Sequence, residues 1–357
     1  MTTAYLNRIA TCVPPHDVHD AFIGFAESQL RGDRRSALLF RRLATKGGIE
    51  HRYSYIAPSD DSDGEVLDVQ GLFVRGRFPG TSARMRFFEN HAPMLAANAV
   101  ERLAPAVDAR RVTHLLITCC TGLSAPGLDL EIIDRCGLKP SVERTILGFM
   151  GCYAAINALR LARHIVRSEP DACVLIVSLE LCTLHLKETT DLEEILSFLL
   201  WGDGSAACLV TAEPTGFALD SFRTILTPNT RELITWNIRD AGFDMRLSGQ
   251  VPNAIHDALL ANASGMLDEA SADSIDLWAV HPGGRSVLDA VERALRLDPA
   301  ALAASREVLR RFGNMSSATV LFVLDELLCS AAPDAMGCAM SFGPGLVAET
   351  MRFHAVS

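Results

Sequence analysis

Residues 146–162 read ILGFMGCYAAINALRLA, and they join a glycine-rich turn to an amphipathic helix with one cysteine at the junction. Apolar residues after Cys152 recur at helical spacing, so the stretch predicts a helix that begins at Cys152 and packs one face against a core. A thiol at a helix N-terminus lies near the positive end of the helix dipole, so we expect a lowered pKa and a nucleophile. The alternative is a small buried hydrophobe, the usual role of a free cysteine.

Strand-like and helix-like stretches alternate around this segment. The first hundred residues predict mainly helices and loops. Farther along, apolar runs predict strands at 113–120, 172–180, 202–213 and 275–283, and two strands joined by Gly-Pro-Gly within 335–356. Helical periodicity predicts helices at 128–138, 256–270, 286–297 and 316–332. This alternation predicts an α/β fold, and the repeated order of elements indicates a duplicated unit.

The composition argues against several classes of protein. The 357 residues are 49% hydrophobic, enough for a large two-part core, and the formal net charge of -10 argues against a nucleic-acid partner. The first residues lack a basic segment followed by an apolar run, and no stretch is long and apolar enough to predict a membrane span. Ten scattered cysteines without a CxxC pair indicate reduced thiols, so we expect a cytoplasmic protein.

Two short motifs suggest ligand sites that their context does not support. WGDGSAA (201–207) contains the pattern GxGxxA, but a predicted strand follows it instead of the helix that a dinucleotide fingerprint requires. HDVHD (16–20) has two histidines without a further ligand cluster, so we interpret it as a solvated helix start. We therefore predict neither a dinucleotide nor a metal at these positions.

Two other element boundaries carry polar residues that a cysteine nucleophile could use. His281 ends an apolar strand before a Gly-Gly turn, and strand ends in α/β folds are where sites collect. Asn314 follows a glycine and precedes a long apolar helix. Each has a structural alternative, His281 as a hydrogen-bonded core histidine and Asn314 as a helix N-cap. Ser316 or Ser317 could cap that helix equally well, which would leave Asn314 for another role.

Several segments together resemble one enzyme family. They are GFMGCYAA (148–155), AVHPGGRSVLDAV (279–291), RFGNMSSATVLFVLDEL (311–327), WGDGSAA (201–207), SFGPG (341–345) and the strand VTHLLITCCTGLSAPG (112–127). Their order and spacing resemble the type III polyketide synthases, the chalcone-synthase-like family, through nearly the whole chain. Because several independent motifs agree, the resemblance is specific.

This resemblance implies a thiolase-like α/β fold of two related βαβαβ halves, with central sheets between helical layers. The N-terminal half would span residues 1–215 and carry the nucleophilic cysteine, and the C-terminal half would span 216–357 and carry the histidine and the asparagine. It also implies a homodimer that condenses malonyl-CoA onto an acyl-CoA starter with loss of CO2. No metal or redox cofactor is expected, since the departing carboxylate generates the carbanion.

The resemblance also implies a role for each of the three boundary residues. Cys152 would accept the starter acyl group as a thioester, and His281 would pair with its thiolate and hold it charged. His281 and Asn314 would donate hydrogen bonds to the malonyl thioester oxygen as it becomes an enolate, in the manner of an oxyanion hole.

Two further segments resemble substrate-contacting parts of the family. SFGPG resembles the family's GFGPG loop, with a serine in place of the first glycine, and its site-shaping residues would be Phe342, Gly343 and Pro344. LLFRRLATKGG (38–48) resembles the CoA-contacting helix, in which Arg42 and Lys46 match basic positions and Leu39 replaces a frequent lysine. A solvated basic face is the alternative for this second segment.

The family's cavity positions bear on the product. They correspond to Trp201, Met245, Cys120, His185, Phe198, Trp236 and Ser316. Trp201 and Met245 replace gatekeeper phenylalanines, Trp236 replaces a glycine frequent in plant members, and Ala125 replaces a methionine that reaches the partner's cavity. These differences resemble bacterial members that make alkylresorcinols or alkylpyrones from fatty acyl starters. The small Cys120 side chain is expected to open a tunnel for the acyl chain.

Three alternative functions share parts of this pattern. A ketoacyl-ACP synthase of the priming type has the same fold and the same Cys-His-Asn set, but takes its acyl group from a carrier protein. A thiolase would need a second catalytic cysteine near the C-terminal glycine loop, where Cys338 lies in a predicted strand. A non-catalytic scaffold would keep the fold without a reactive Cys152.

Overall fold

The computed structural model describes residues 2–61, 64–103 and 108–356. The strands in the first part of the chain are β1 (Tyr5–Cys12), β2 (His16–Asp17), β3 (Tyr53–Ser54), β4 (His114–Cys119), β5 (Glu143–Gly148), β6 (Val174–Leu181) and β7 (Asp203–Thr211). The remaining strands are β8 (Gly216–Leu226), β9 (Ile234–Arg239), β10 (Gly242–Leu247), β11 (Leu277–Val280), β12 (Met336–Gly343) and β13 (Val347–Val356).

The helices lie between these strands. In chain order they are α1 (His19–Gln29), α2 (Arg34–Lys46), α3 (Thr81–Leu103), α4 (Leu128–Cys136), α5 (Ala154–Ser168), α6 (Leu192–Phe198), α7 (Val251–Met266), α8 (Arg285–Leu295), α9 (Ala303–Phe312) and α10 (Thr319–Leu328). Two short 3₁₀ turns lead into α5 and α10, and we name them the Cys turn (Gly151–Tyr153) and the Ser turn (Ser316–Ala318). No helix of the described ranges combines the length and the hydrophobicity needed to cross a membrane.

The main sheet shows the predicted duplication. Its strand order is β11-β12-β13-β8-β1-β7-β6-β4-β5. Outward from the β1/β8 junction, each side has two antiparallel pairings followed by a parallel one: β1-β7-β6-β4 on one side and β8-β13-β12-β11 on the other. The first half adds β5, parallel to β4, at its outer edge. Strands β1 and β8, which begin the two halves, therefore occupy equivalent places and pair with each other at the centre of the sheet.

The centre of the molecule is built on α5 and α10. Each of these helices contacts strands of both half-sheets, and their apolar residues belong to one buried cluster. Helices α3 and α4 pack on the first half-sheet through a second cluster, and α7 and α8 pack on the other half through a third. The α/β fold with sheets between helical layers, predicted from the sequence, is confirmed.

Most predicted elements agree with the structure, and the errors lie in exposed or polar strands. The prediction of helices and loops for the first hundred residues missed β1, which lies at the middle of the sheet with alternating burial. Strands β5, β8, β9 and β10 were also missed, because charged or exposed residues interrupt their apolar pattern. The helix predicted to begin at Cys152 begins at Ala154, after the Cys turn.

Candidate active site

Three element ends meet at one enclosed cavity. Cys152 lies in the Cys turn before α5, His281 directly follows β11, and Asn314 lies two residues before the Ser turn. All three side chains line the same cavity, whose volume is about 50 Å³. The sequence predicted each residue at an element boundary, and the fold brings these boundaries together from both halves of the chain.

The backbone around Cys152 is held in a specific shape. Gly151 has a φ of +77°, and a Cβ atom there would lie 2.2 Å from Pro344 Cδ, so only glycine fits. The Cys152 Sγ atom lies 3.7 Å from Ser316 Oγ in the Ser turn. Ser341, at the position where the resemblance leads one to expect glycine, donates a hydrogen bond from its Oγ to the Cys152 carbonyl at 3.1 Å. This contact gives the unusual serine a role in fixing the backbone of Cys152.

The protonation state of the ligand-free site differs from the sequence prediction. Burial raises the pKa of the Cys152 thiol to about 12, and its hydrogen bond with Ser316 offsets only part of this effect. Burial also lowers the pKa of His281 to about 3. The prediction of a lowered thiol pKa was wrong because desolvation outweighs the field of the helix end. The site therefore holds a neutral thiol and a neutral imidazole.

His281 and Asn314 both keep hydrogen-bonding capacity for a ligand. His281 is 1% exposed, and neither of its ring nitrogens has a partner within the described part of the chain. The Asn314 Oδ1 atom accepts from the Ser316 backbone N–H at 2.8 Å, but Met315, not Asn314, is the N-cap residue of the Ser turn, so the cap interpretation was wrong. Its Nδ2 atom donates one long hydrogen bond to the Gly283 carbonyl at 3.3 Å, which leaves a second N–H. A buried imidazole without partners is costly in an inert core, which favours a functional site.

Two tryptophans form much of the cavity wall. Trp201 and Asn314 form an isolated parallel β-bridge. In it, the Asn314 N–H donates a hydrogen bond to the Leu200 carbonyl at 2.7 Å. Trp236 lies on β9, opposite Met245 on β10. The two indole rings meet edge to face, with centroids 6.2 Å apart. Both indole Nε1 atoms are buried and have no acceptor among the residues described. The wall is thus apolar but offers two unsatisfied N–H donors.

Most of the predicted cavity positions line this cavity. Together with the three central residues they are Cys120, Trp201, Trp236, Met245, Ser316, Phe342 and Pro344. His185 lies behind the wall instead, because its ring nitrogens bond to the Thr121 carbonyl and the Phe243 N–H. Phe198 lines a different cavity. Gly343 makes room for Tyr153, since a Cβ atom there would lie 2.7 Å from the tyrosine ring.

Cys120 has a structural role that was not predicted. Its Sγ atom accepts a hydrogen bond from the Gly151 backbone N–H at 3.1 Å, and its side chain is buried. Burial raises its pKa well above the ordinary value. The Cys120 thiol therefore supports the backbone of the Cys turn and also lines the cavity, and its opening of a tunnel stays a prediction.

Sequence reasoning also missed a buried carboxyl group beneath the cavity. Glu180 on β6 accepts hydrogen bonds from the Cys120 N–H at 2.9 Å, from Thr121 Oγ1 at 2.9 Å and from Ser317 Oγ at 2.6 Å. Burial raises the pKa of Glu180 to about 7, despite these donors. Glu180 lies inside a near-continuous apolar strand. Its presence as a charged residue at a position predicted to be buried was the one signal that could have indicated this site.

An open cleft of about 640 Å³ adjoins the cavity on its solvent side. The two share Leu247, Val251, Gly283 and Val287 in their linings. Lys46 and Arg285 line the cleft, and Arg285 begins α8. Arg42, the other predicted CoA-binding residue, is exposed on α2 and does not line the cleft. Arg285 was not predicted, although its place after the Gly-Gly turn made it a candidate.

The motifs that were set aside lie in the following surroundings. Strand β7 begins at Asp203 within WGDGSAA and no helix follows the motif directly, so this segment lacks the helix that a dinucleotide loop requires. The helix start at His19 is correct, but that side chain is buried, not solvated, and bonds to Arg52. Within the described ranges, no three His, Cys, Asp or Glu side chains group together as a metal site would require. Cys338, the position relevant to a thiolase, is buried on β12 and does not line the cavity.

Both parts of the sequence match one protein family. Residues 7–214 match the N-terminal domain of chalcone and stilbene synthases, and residues 219–357 match the C-terminal domain. The sequence is 33% identical to bisdemethoxycurcumin synthase of Oryza sativa subsp. japonica, over 98% of this chain and 92% of that protein. It is 34% identical to the alpha-pyrone synthesis polyketide synthase-like Pks18 of Mycobacterium tuberculosis, over 99% of this chain and 92% of the relative.

Solved structures show the same fold. PKS-I from the brown alga Ectocarpus siliculosus superposes with a TM-score of 0.89 at 27% identity, covering 100% of this chain and 99% of that one. The C-terminal type III polyketide synthase domain of Steely1 from Dictyostelium also gives a TM-score of 0.89, at 24% identity, covering 99% of this chain and 100% of that domain.

Proposed function

The chain belongs to the chalcone and stilbene synthase family and is a type III polyketide synthase, an acyltransferase; from this premise we propose which substrates it joins and which residues act. It loads an aliphatic acyl group from an acyl-CoA starter onto Cys152 and extends it with malonyl-CoA. The chain is then released as an alkylpyrone or alkylresorcinol. No resident cofactor takes part, since the departing CO2 leaves the electron pair that forms the new carbon–carbon bond.

One observation carries this proposal: an apolar cavity that surrounds a thiol with unsatisfied donors. His281, Asn314, Trp201 and Trp236 each offer a buried N–H or ring nitrogen for an oxygen acceptor. Buried donors without partners are costly, and a ligand with several carbonyl oxygens would satisfy them. A growing polyketide, which carries a carbonyl on every second carbon, is such a ligand.

Loading of the starter begins from the neutral pair. His281 takes the proton of Cys152 as the thiolate attacks the starter carbonyl, and the attraction between thiolate and imidazolium offsets their poor solvation. The acyl–sulfur bond to CoA breaks, and CoA leaves as a thiol with the proton from His281. Cys152 then holds the starter as a thioester, and His281 is neutral again.

Chain extension uses the same side chains as donors. The malonyl carboxylate leaves as CO2, and its electron pair moves into an enolate whose oxygen accepts hydrogen bonds from His281 and Asn314. The enolate carbon attacks the thioester on Cys152 and forms the new carbon–carbon bond, while the cysteine leaves as a thiolate. Neutral donors suit this step, because they stabilise the enolate without protonating its carbon.

Delivery of CoA thioesters is proposed through the open cleft beside the cavity. Lys46 and Arg285 supply cations for CoA phosphates, and the N-terminus of α8 adds backbone N–H groups. Arg42 is exposed on the same helix as Lys46 and is retained as a more peripheral phosphate contact.

The product class rests on a relative and on the shape of the cavity. The printed name of the mycobacterial relative describes alpha-pyrone synthesis, which favours lactone closure over a resorcinol ring. The volume of about 50 Å³ has room for roughly two water molecules, so an acyl chain of more than a few carbons requires the tryptophan rings to move. We therefore expect short and medium aliphatic starters to react faster than long ones.

A homodimer is also part of this proposal. The edge strand β5 leaves one side of its backbone without a partner strand in the described sheet, and apolar side chains beside it are exposed, including Ile146 at 44% and Leu123 at 47%. Such an edge favours pairing with a second copy.

All ten cysteines carry unpaired thiols, which supports the expected cytoplasmic location.

A product assay tests the proposed function. Purified protein is mixed with malonyl-CoA and a panel of starters: acetyl, hexanoyl, long-chain fatty acyl, benzoyl and coumaroyl CoA. We expect pyrones or resorcinols from an aliphatic starter by mass spectrometry, and none from Cys152→Ala. The same starters on an acyl carrier protein form a parallel arm. Product from the carrier-bound starters alone would overturn CoA delivery, and product from Cys152→Ala would overturn the proposed nucleophile.

A further inference from the structure

A second cavity lies on the other side of Trp201 from Cys152. Its volume is about 90 Å³, and Trp201 is the residue whose side chain it shares with the active-site cavity. Aromatic and aliphatic side chains form most of its wall, among them Phe22, Phe25, Ile56, Leu67 and Phe73. The proposed reaction uses none of these residues.

Arg52 places a buried cation in the wall of this cavity. Its side chain is 2% exposed, and its guanidinium carbon lies 4.6 Å from the centre of the Phe22 ring. The Nε atom donates to His19 Nδ1 at 3.0 Å, and the Nη1 atom donates to the carbonyls of Phe198 and Trp201 at 2.8 and 2.9 Å. The Nη2 atom has no partner in the described structure.

Asp17 and Asp203 attract the charge of Arg52 through space, but neither forms an ion pair with its guanidinium within the described residues. Burial lowers its pKa to about 9, so the group remains protonated at neutral pH. Its partner His19 is neutral there, because burial lowers the pKa of that imidazole to about 4. Asp68, the acidic residue in the cavity wall, accepts hydrogen bonds from the backbone N–H groups of Leu72 and Phe73. A buried cation with a vacant donor beside an apolar space is what an apolar anion would complement.

We propose that this cavity binds a short-chain aliphatic monocarboxylate, whose carboxylate accepts a hydrogen bond from Arg52 Nη2 and whose chain packs among Phe22, Phe25 and Phe73. The volume corresponds to about three water molecules, which suits a chain of about four carbons. A neutral alcohol would leave the cation unpaired, and an alkylammonium would be repelled by it. The site is separate from the reaction of Cys152 and does not depend on the proposed function.

Occupancy of this site acts on the active-site wall. The ligand would contact the Trp201 ring from behind, while Arg52 already holds the Trp201 carbonyl. A filled second cavity therefore restrains the ring that a larger starter must displace. Bound carboxylate should slow turnover of longer starters more than that of acetyl-CoA.

Binding to the full chain is measured with butanoate, 1-butanol and butylammonium by ligand-observed NMR and by tryptophan fluorescence. We expect butanoate to bind about tenfold or more tightly than 1-butanol, because a charged hydrogen bond is added. Alkylation of Cys152 with iodoacetamide fills the active-site cavity and should leave butanoate binding unchanged. Equal affinity for butanoate and 1-butanol, or loss of butanoate binding after alkylation, would overturn the proposal.

Variants locate the site without disturbing catalytic residues. Ala21 lines the second cavity, so Ala21→Leu should fill it and weaken butanoate binding about tenfold or more. Ala303→Leu makes the same change on an exposed position of α9 and should bind butanoate like the wild type. Arg52→Met removes the cation; if it fails to fold, Ala21→Leu still decides the matter. Unchanged binding by Ala21→Leu would refute the site, whatever the product assay shows.

Discussion

The Cys turn and the Ser turn occupy equivalent places in the two halves of the molecule, yet they do different chemistry. Each is a short 3₁₀ turn that leads into a central helix, and each begins with a residue of positive φ, Gly151 at 77° and Ser316 at 47°. Two residues before each helix stand Cys152 in one half and Ser317 in the other. The thiol lines the cavity, whereas the Ser317 hydroxyl donates to Glu180.

This difference shows how duplication can divide a site. One copy of the turn carries the proposed nucleophile. The other makes hydrogen bonds around it: Ser316 Oγ accepts from the Cys152 thiol, Ser317 Oγ donates to Glu180, and the preceding Asn314 accepts from the Ser316 N–H. Neither half contains a complete site. The comparison predicts that changes in the Cys turn abolish chemistry or folding, while matched changes in the Ser turn weaken it.

The largest effect is expected when the two turns are made chemically alike. Cys152→Ser puts a hydroxyl at both positions, and a serine with a pKa far above that of a thiol is a poor nucleophile beside a neutral imidazole. We expect condensation to fall by at least about 10³-fold. The readouts are product formation and the acyl-enzyme mass after incubation with the starter. A Cys152→Ser enzyme that kept more than a tenth of its activity would show that the thiol is not the acyl carrier.

The second-largest effect is expected from the ionisation of the Cys152 thiol. Since the pKa of Cys152 is raised to about 12, its thiolate fraction should grow about tenfold per pH unit between about pH 7 and 10. The rate of iodoacetamide alkylation at Cys152, followed by peptide mass spectrometry, should rise with the same slope. A plateau below about pH 8 would reveal a resting thiolate paired with protonated His281.

The donor that precedes the Ser turn gives a somewhat smaller effect. Asn314→Asp keeps the shape of the side chain, and its carboxylate lacks the N–H that would hold the enolate. Decarboxylation of malonyl-CoA to acetyl-CoA should slow by about 10²- to 10³-fold, while loading of Cys152 changes less. Asn98→Asp, on an exposed position of α3, is the matched control. Equal loss of loading and decarboxylation would assign Asn314 a merely structural role.

The backbone of the two turns gives the smallest effect. Gly151→Ala adds a Cβ atom 2.2 Å from Pro344 at a positive φ, so it should lower the free energy of unfolding by about 2–3 kcal/mol or more. Ser316→Gly removes the strain of a non-glycine residue at positive φ and should change the free energy by less than about 1 kcal/mol.

Urea denaturation of these variants separates strain from contact. Gly137 has a φ of +65° with open space around it, so Gly137→Ala reports the cost of the backbone conformation alone, about 1 kcal/mol. A Gly151→Ala loss no larger than that of Gly137→Ala would mean that Pro344 moves aside at little cost.

The fold class and the position of the three central residues at element boundaries could be predicted from local patterns, whereas their joint role was implied by the family resemblance. Cys152, His281 and Asn314 each stand at the end of an apolar segment, and such ends converge in an α/β fold. Strand β1 could not be recognised, because YLNRIATC mixes polar and apolar residues and gains its partners from residues 193 or more positions away. Long-range pairing is not visible in a local pattern.

The protonation state of the site and the identity of some of its lining residues could not be predicted from local sequence patterns, for a different reason. The helix end suggested an acidic thiol, but the degree of desolvation around Cys152 depends on residues from both halves. Phe198 and Trp201 are three positions apart in the sequence, yet Trp201 lines the active-site cavity and Phe198 does not. The contact of Ser341 with the nucleophile's carbonyl likewise depends on the packing of β12 against the Cys turn.

The position of β1 also affects how the chain folds during its synthesis on the ribosome. This strand is synthesised before the other strands of the sheet, and both of its neighbours, β7 and β8, are made about 200 residues later. At the usual pace of synthesis it waits on the order of ten seconds or more with unpaired edges. During that interval the half that carries Cys152 exists without His281 and Asn314, so an unfinished chain offers a thiol but no means to use it. Interrupted translation therefore yields an aggregation-prone fragment, not a partly active enzyme.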